Sequence, residues 1–338
     1  MDENALLPFQ REGVGRGYES FRGRVLLADE MGLGKTVQAI AIACRYRHEW
    51  PLLVIAPTSM CLPWCEELER WCPFLRPGDI NLVKSHHNGA LRVAPVTVLS
   101  FGLVTNGKDK EVLMAAIRSA SFSCVIADEA HYLKNKDAVR TQLVLPVLAR
   151  ARRCILCTGT PALSRPVELY PLLCTLRPDV PQFGGGYTRF VERYCAAQRI
   201  PLRGGASRFD VSGCSNAVEL HDLLVRHCMV RRLKADVLTE LPPKRRQRVL
   251  LSLGVGSGGA RSGGAGRSKG AVVSAIAELA ELQKQMDATP VSDEKRRRAL
   301  LASMCVTLAS AKAAHASDYC LELLPQCANG KLLFFAHH

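Results

Sequence analysis

Residues 25–47, VLLADEMGLGKTVQAIAIACRYR, restrict the fold more than any other stretch of the chain. An apolar run, Val25-Leu26-Leu27-Ala28, leads into a tight segment holding Gly32 and Gly34, and apolar residues at helical spacing follow. Strand, loop and helix in that order aim the loop's backbone N–H groups and the positive end of the helix dipole at one point, a cradle for a di- or triphosphate. Lys35 would reach the β- and γ-phosphates, and the Thr36 hydroxyl would hold a magnesium ion. The usual pattern G-x-x-x-x-G-K-[ST] is met from Gly34 onward but broken at its first position, which is Asp29. The plain alternative is a glycine-rich turn between a strand and a helix.

The alternation repeats downstream. Leu52-Leu53-Val54-Ile55-Ala56, Val96-Thr97-Val98-Leu99, Cys124-Val125-Ile126-Ala127 and Cys154-Ile155-Leu156-Cys157 have the composition of strands covered on both faces of a parallel sheet. Helical spacing separates them over residues 110–118 and 62–71, the latter placing Leu62, Leu68 and Trp71 inward and Glu66, Glu67, Glu69 and Arg70 outward. Residues 6–14 read as a short approach helix. Such repeats predict an α/β domain with a doubly wound parallel sheet flanked by helices, whose ligands bind beyond the carboxyl ends of the strands. Pro57-Thr58-Ser59, Asp128-Glu129-Ala130-His131 and Thr158-Gly159-Thr160-Pro161 each follow directly on such a run. After Pro161 the chain reads as helical and less regular, through 169–176, 190–197 and 217–226.

With 338 residues, 48% of them hydrophobic, the chain can fill substantial cores. Its formal net charge of +14 favours a polyanionic partner, nucleic acid first. Met1-Asp2-Glu3-Asn4 lacks the basic-then-apolar pattern of a leader and no apolar run approaches bilayer length, so a soluble intracellular protein without membrane contact is expected. Cysteines sit inside apolar runs (Cys124, Cys154, Cys157, Cys174) or near tryptophans (Cys65, Cys72), the placement of buried reduced thiols. On a strand, the C-x-x-C pair Cys154 and Cys157 would point to opposite faces, which argues against zinc.

Asp128-Glu129 supplies the other half of a nucleotide-hydrolysing site. Adjacent carboxylates at a strand end can divide the work: Asp128 holds the magnesium ion through water, and Glu129 orients and deprotonates the attacking water. A solitary acidic pair is more often a solvated strand end; here it follows a phosphate loop in a repeating α/β pattern, with His131 and Thr158-Gly159-Thr160 behind it. In that order and spacing, DEMGLGKT, DEAH and TGTP resemble the first motor lobe of superfamily II helicase-related ATPases. The phosphate loop led by Asp29 is similar to that of the Swi/Snf-type DNA translocases. FDVSGCSNAVELHDLLVRHCMVRRLKADVLTELPPKRR (209–246) and KLLFFAHH (331–338) resemble the annealing-helicase branch, the replication-fork remodellers, so the likeness covers nearly all of the chain outside a glycine-rich stretch.

The resemblance implies a RecA-like lobe, the first of two, that uses ATP and Mg2+. Gln10 would contact the adenine, and Asp29, Glu30, Met31, Gly32, Leu33, Gly34, Lys35 and Thr36 would form the nucleotide loop, with Thr36 and Asp128 at the metal. Lys35, Asp128 and Glu129 would be the catalytic set, as their chemistry already indicates. His131, Thr158, Gly159 and Thr160 would link nucleotide state to grip on DNA. Thr58, Ser59 and Ser100 would lie near the DNA backbone, although plain loop caps at strand ends look the same. Arg231 and Arg232 open a basic segment, continued by Lys234, Lys244, Arg245, Arg246 and Arg248, that matches an interlobe brace near DNA; a solvated face is its plain alternative. The implied partners are double-stranded or forked DNA and, through regions outside this chain, single-strand-binding or replication proteins.

The expected organisation is a lobe with helical elaboration over 1–228, a basic brace or linker over 229–252, a flexible Gly/Ser-rich insertion over 253–271, and over 272–338 a helical segment and strand opening an incomplete second lobe. Relatives draw arginine fingers from later motifs of that lobe. Their loss costs about a thousandfold in turnover, so these residues alone are expected to bind ATP weakly and hydrolyse it poorly. The chain starts a few residues before its first motif, so no accessory fork-recognition domain is expected ahead of the motor. Two other readings stay open: a nucleotide- and DNA-binding module that turns nothing over, and a nucleosome-remodelling motor lobe. Clusters at 244–246 and 295–298 fit nuclear import signals, hence an expected nuclear location, and fit phosphate contact or solvation as well.

Overall fold

In the computed structural model, which describes residues 2–84, 91–92, 94–105, 110–159, 165–201, 207–240, 265–291 and 293–327, the apolar runs become strands of one parallel sheet. These are β1 (Arg24–Leu27), β2 (Leu52–Ala56), β3 (Ile80–Leu82), β4 (Val96–Ser100), β5 (Cys124–Ala127) and β6 (Arg153–Cys157). After an antiparallel hairpin of β7 (Gln198–Pro201) and β8 (Ser207–Asp210), β9 (Met229–Val230) returns to the sheet beside β1. The order is β3-β4-β2-β5-β6-β1-β9, so β5 and β6 fill the gap between β2 and β1.

Alternate strand residues enter opposite layers. Val25, Leu27, Val54, Ile126 and Ile155 pack under α1 (Pro8–Gly15), α2 (Lys35–Arg45) and α3 (Cys61–Trp71). Leu26, Leu53, Val125 and Leu156 pack under α4 (Phe101–Thr105), α5 (Lys110–Ser119), α6 (Val139–Arg150), α7 (Tyr170–Leu176), α8 (Pro181–Gly184), α9 (Tyr187–Tyr194) and α10 (Ala217–His227). Burial on both faces explains runs without polar alternation. It also separates Cys154 from Cys157, one in each layer, and among the described residues no three or more His, Cys, Asp or Glu side chains gather as a metal-ligand group.

Several local expectations change. In α3 the buried stripe is Cys61, Trp64, Cys65 and Leu68, and Leu62 is 58% exposed. The spacing 61, 64, 65, 68 keeps one helical face, and Leu62 lies a quarter turn away from it. The helix α6 runs through Pro146, whose missing N–H falls on the exposed side of the helix. The basic segment from 229 begins as the seventh strand, followed by α11 (Lys234–Val237), because Met229 and Val230 are buried against β1.

The chain divides into two units, Met1–Leu241 and Pro242–His338. In the second unit, α12 (Ala265–Ala288) packs on α13 (Glu294–Leu323), and Asp293 caps α13 by accepting the Arg296 N–H at 3.1 Å. The start of α12 at Ala265 corrects the insertion read to 271: adding residues to a formed helix costs little, so α12 extends backward into the polar sequence. Lys244, Arg245, Arg246, Arg248 and the closing 331–338 strand lie outside the described residues. Among the described residues no single helix is long and apolar enough to cross a membrane.

One ion pair ties the turn after α2 to β6. Arg153 donates from Nε and Nη2 to both oxygens of Glu49, at 2.9 and 2.6 Å, and its guanidinium covers the Tyr46 ring. These hydrogen bonds hold the Glu49 carboxyl below its usual range. A depressed folded-state value means stabilisation that is complete above the unfolded glutamate value of about 4.3 and is lost as pH falls through the folded one. Glu49→Gln is expected to lower the unfolding free energy by about 1–3 kcal/mol at neutral pH. Urea melts at stepped pH should show its gap to the wild type closing below pH of about 4.

Candidate active site

The chain leaves β1 at Leu27 and turns through Gly32 (φ 86°) and Gly34 (φ 76°) into α2. Both glycines are left-handed, a conformation costly for other L residues. At Gly34 there is also no room: a Cβ would lie 2.5 Å from Gln10 Nε2. Gln10 donates to the Leu33 carbonyl at 3.1 Å and accepts the Leu7 N–H at 3.0 Å, so its amide fixes the loop backbone. Lys35 donates from Nζ to the Asp29 carbonyl at 3.0 Å, and Thr36 is half-buried in the first turn of α2.

Asp29 is fully buried, and its side chain faces the protein rather than the loop mouth. It receives Arg232 Nε at 3.1 Å, Arg232 Nη2 at 2.8 Å and Gln38 Nε2 at 2.9 Å. This corrects the expectation that Arg232 meets DNA: its side chain is 14% exposed and committed to an internal carboxylate. Arg231 is exposed, with one hydrogen bond from Nη1 to the Ala28 carbonyl at 3.0 Å.

At the end of β5, Asp128 is buried, with Oδ1 accepting the Glu129 N–H at 2.9 Å and Oδ2 accepting the Trp64 indole N–H at 2.8 Å. Glu129 adopts φ 47°, a strained conformation for a non-glycine residue that costs about 1–2 kcal/mol and turns its carboxylate out of the strand direction. Its Oε2 lies 3.0 Å from His131 Nδ1, and the same nitrogen lies 3.4 Å from Thr158 Oγ1 at the end of β6. A carboxylate acceptor assigns the proton to Nδ1.

Neighbouring registers bring these groups together. Leu27 pairs with Cys157 and Ala127 with Leu156, so β1, β6 and β5 end side by side. A Cβ on Gly159 would lie 3.6 Å from Lys35 Nζ. The buried Cys157 thiol registers the convergence: desolvation pushes it well above its ordinary range, the Asp128 carboxylate adds to this, Lys35 opposes it, and Glu129 and Asp29 add further. Thr160 lies outside the described residues.

Thr58 and Ser59 are exposed in the turn after β2, and Thr58 Oγ1 and Ser100 Oγ both approach Gly102, at 3.5 and 3.6 Å from a Cβ placed there. Ser100 is buried and caps α4, its Oγ accepting the Leu103 N–H at 3.2 Å, which is the loop-cap role that stood as the plain alternative to a place near DNA. Trp64 and Gln38 escaped the sequence reading, because an inward position on an amphipathic helix signals packing and says nothing of the polar atom its N–H will meet. The donors fit Mg2+, since the Asp128 carboxylate and Thr36 hydroxyl are hard oxygens, and glycine at 32 and 34 keeps the phosphate cradle open.

Residues 10–256 match the SNF2-related domain. The chain is 42% identical over 334 residues to the mouse DNA annealing helicase and endonuclease ZRANB3, covering 98% of the chain and 29% of that protein. It is 39% identical over 334 residues to the Xenopus tropicalis SWI/SNF-related matrix-associated actin-dependent regulator of chromatin subfamily A-like protein 1, covering 98% of the chain and 32% of that protein. It therefore spans about a third of the length of these relatives. Its fold is similar to that of the Sulfolobus solfataricus SWI2/SNF2 ATPase core in complex with dsDNA, with TM-score 0.53 and 21% identity, covering 90% of the chain and 58% of the other.

Trp64→Phe retains an aromatic ring and removes the donor to Asp128. Loss of such a supporting hydrogen bond is expected to raise the Mg2+ concentration for half-maximal nucleotide binding by about tenfold. Titration calorimetry at graded Mg2+ checks this, and an unaltered Mg2+ dependence would show that Asp128 needs no indole.

Proposed function

Since this chain belongs to the SNF2-related domain family of helicase-like ATPases, we propose that it binds ATP on residues 29–36 and hydrolyses it with water activated by Glu129. The observation that carries this reading is the meeting of Lys35, Asp128 and Glu129 at adjoining strand ends, with His131 joining Glu129 to Thr158. The glycine-lined loop and the α2 N-terminus receive phosphate oxygens, and the Lys35 ammonium leaves the Asp29 carbonyl to neutralise them. Mg2+, held by Thr36 and Asp128, would supply further charge neutralisation at the phosphates. Glu129, about a third exposed, takes the proton of the attacking water. His131 and Thr158 bind the water-side carboxylate to the neighbouring strand, a path by which hydrolysis would alter grip on DNA.

We propose further that hydrolysis drives translocation on double-stranded DNA and reannealing or remodelling of forks, in the nucleus. The mouse relative's name as a DNA annealing helicase and the net charge of +14 support this reading. Thr58, Ser59 and Arg231, exposed, are its candidate DNA contacts. On the same reading residues 272–338 open a second motor lobe.

In a chain extended to include a second motor lobe, ATP turnover should rise when forked DNA is added; absence of stimulation removes the motor. Glu129→Gln is expected to cut turnover by about a thousandfold while nucleotide binding persists. Lys35→Ala should lose nucleotide binding itself. A Glu129→Gln protein that turns over ATP at the wild-type rate rejects Glu129 as the base.

A further inference from the structure

Asp29 stands where phosphate loops carry glycine, and a fully buried carboxylate is costly unless matched. Its match is 203 residues away. Arg232 meets both carboxylate oxygens, Nε to Oδ1 at 3.1 Å and Nη2 to Oδ2 at 2.8 Å, the forked geometry a guanidinium provides and an ammonium cannot. Nη2 also donates to Gln38 Oε1 at 2.8 Å, Nη1 donates to the Phe9 carbonyl, and the guanidinium lies over the Phe9 ring. One side chain therefore reaches α1, the phosphate loop and α2.

The backbone reinforces the contact. Pairing of β9 with β1 continues beyond both strands: Ala28 N–H donates to the Val230 carbonyl at 2.7 Å, and Glu30 N–H to the Arg232 carbonyl at 3.0 Å. Lys234 N–H then donates to the Glu30 carboxylate at 2.8 Å. Lys234 Nζ lies over the loop, 3.3 Å from a Cβ placed on Gly32. Residues 231–240 are also the stretch by which the chain leaves its first unit at Leu241.

We infer that Arg232 is a positioning residue that ties the exit segment 231–240 to the nucleotide loop through Asp29, so that phosphate binding and the conformation of that segment are coupled. The inference rests on the ATP-binding reading for its ligand. A loop that shifts around phosphate carries Asp29 and Glu30, and with them Arg232 and Lys234. The coupling runs both ways by necessity: a segment held in place pre-organises the loop, and nucleotide orders the segment. Asp29 is then one half of a pair, and the departure from the glycine pattern follows from the other half.

The test uses the 338-residue chain, a fluorescent ATP analogue with Mg2+, and hydrogen exchange. In the wild type, nucleotide is expected to slow amide exchange over 231–238. Arg232→Ala should abolish that transfer and weaken binding by about tenfold, with partial recovery in Arg232→Lys. Asp29→Asn with Arg232→Gln leaves no unmatched buried charge, and so separates loss of the tie from any misfolding of Arg232→Ala. It should bind no more weakly than either single change, because all three cut one tie. Asp29→Gly, which restores the usual loop pattern, should weaken binding as well. The inference is overturned if the folded double variant binds like the wild type and still slows 231–238. If the wild type binds no nucleotide, the ATP reading fails, and the tie is judged separately: unliganded double variant must exchange faster over 29–36, and unchanged exchange there rejects it.

Discussion

A parallel sheet buried on both faces leaves its carboxyl edge as the natural place for polar chemistry. Inside the layers the buried strand residues pack under helices, and an unmatched polar atom there loses water without compensation. At the carboxyl edge the strands stop, loops begin and helix N-termini point back with their free N–H groups. The order β5-β6-β1 then decides which loops meet. Asp128, Thr158 and the Gly32–Gly34 turn follow three adjacent strands, so residues far apart in sequence share one crevice without any long side chain reaching for another.

Meeting is not sufficient, because acids at the edge of a low-dielectric interior need partners that aim them. Two devices do this. The Trp64 indole on α3 donates to Asp128 and fixes the carboxylate plane, leaving the other oxygen with the Glu129 N–H. Glu129 itself bears a left-handed backbone, which the buried Ala130 and Leu133 just beyond it hold in place. Strain of this kind survives where packing on both sides over-determines the turn, and here it presents the carboxylate to His131 instead of burying it.

The strands and the loop were legible because each depends on neighbours in sequence: 52–56 and 124–127 appear as strands with the read boundaries, and Asp128-Glu129 sits where its run ends. What was illegible depends on partners far away. Met229 and Val230 make a two-residue strand whose identity comes only from β1 beside it. Ser100 fitted a loop cap and a place near DNA equally well, and the turn of α4 over it makes it a cap. Trp64 and Leu62 lie two positions apart, and the face shared by 61, 64, 65 and 68 turns Trp64 inward and Leu62 out. Arg232, in a run of cations, carried every local mark of a solvated charge, and no periodicity reveals a carboxylate 203 residues earlier.

The internal arginines also change what the net charge says about DNA. Arg24 donates to the carbonyls of Leu176, Ala151 and Thr175, Arg177 to Asp179 and the His227 carbonyl, and Arg232 to Asp29. Long-range attraction sums all charges wherever they sit, so +14 still draws a polyanion toward the surface. Short-range grip is another matter, since a phosphate oxygen needs an N–H that no carbonyl already holds. Arginines that brace helices against strands contribute to approach and nothing to contact. Adjacent Arg231 and Arg232 show the division most sharply: the backbone turns one guanidinium toward solvent and the next into the phosphate loop, so a basic cluster cannot be assigned to DNA as a block, and each cation has to be placed by what its N–H groups already meet.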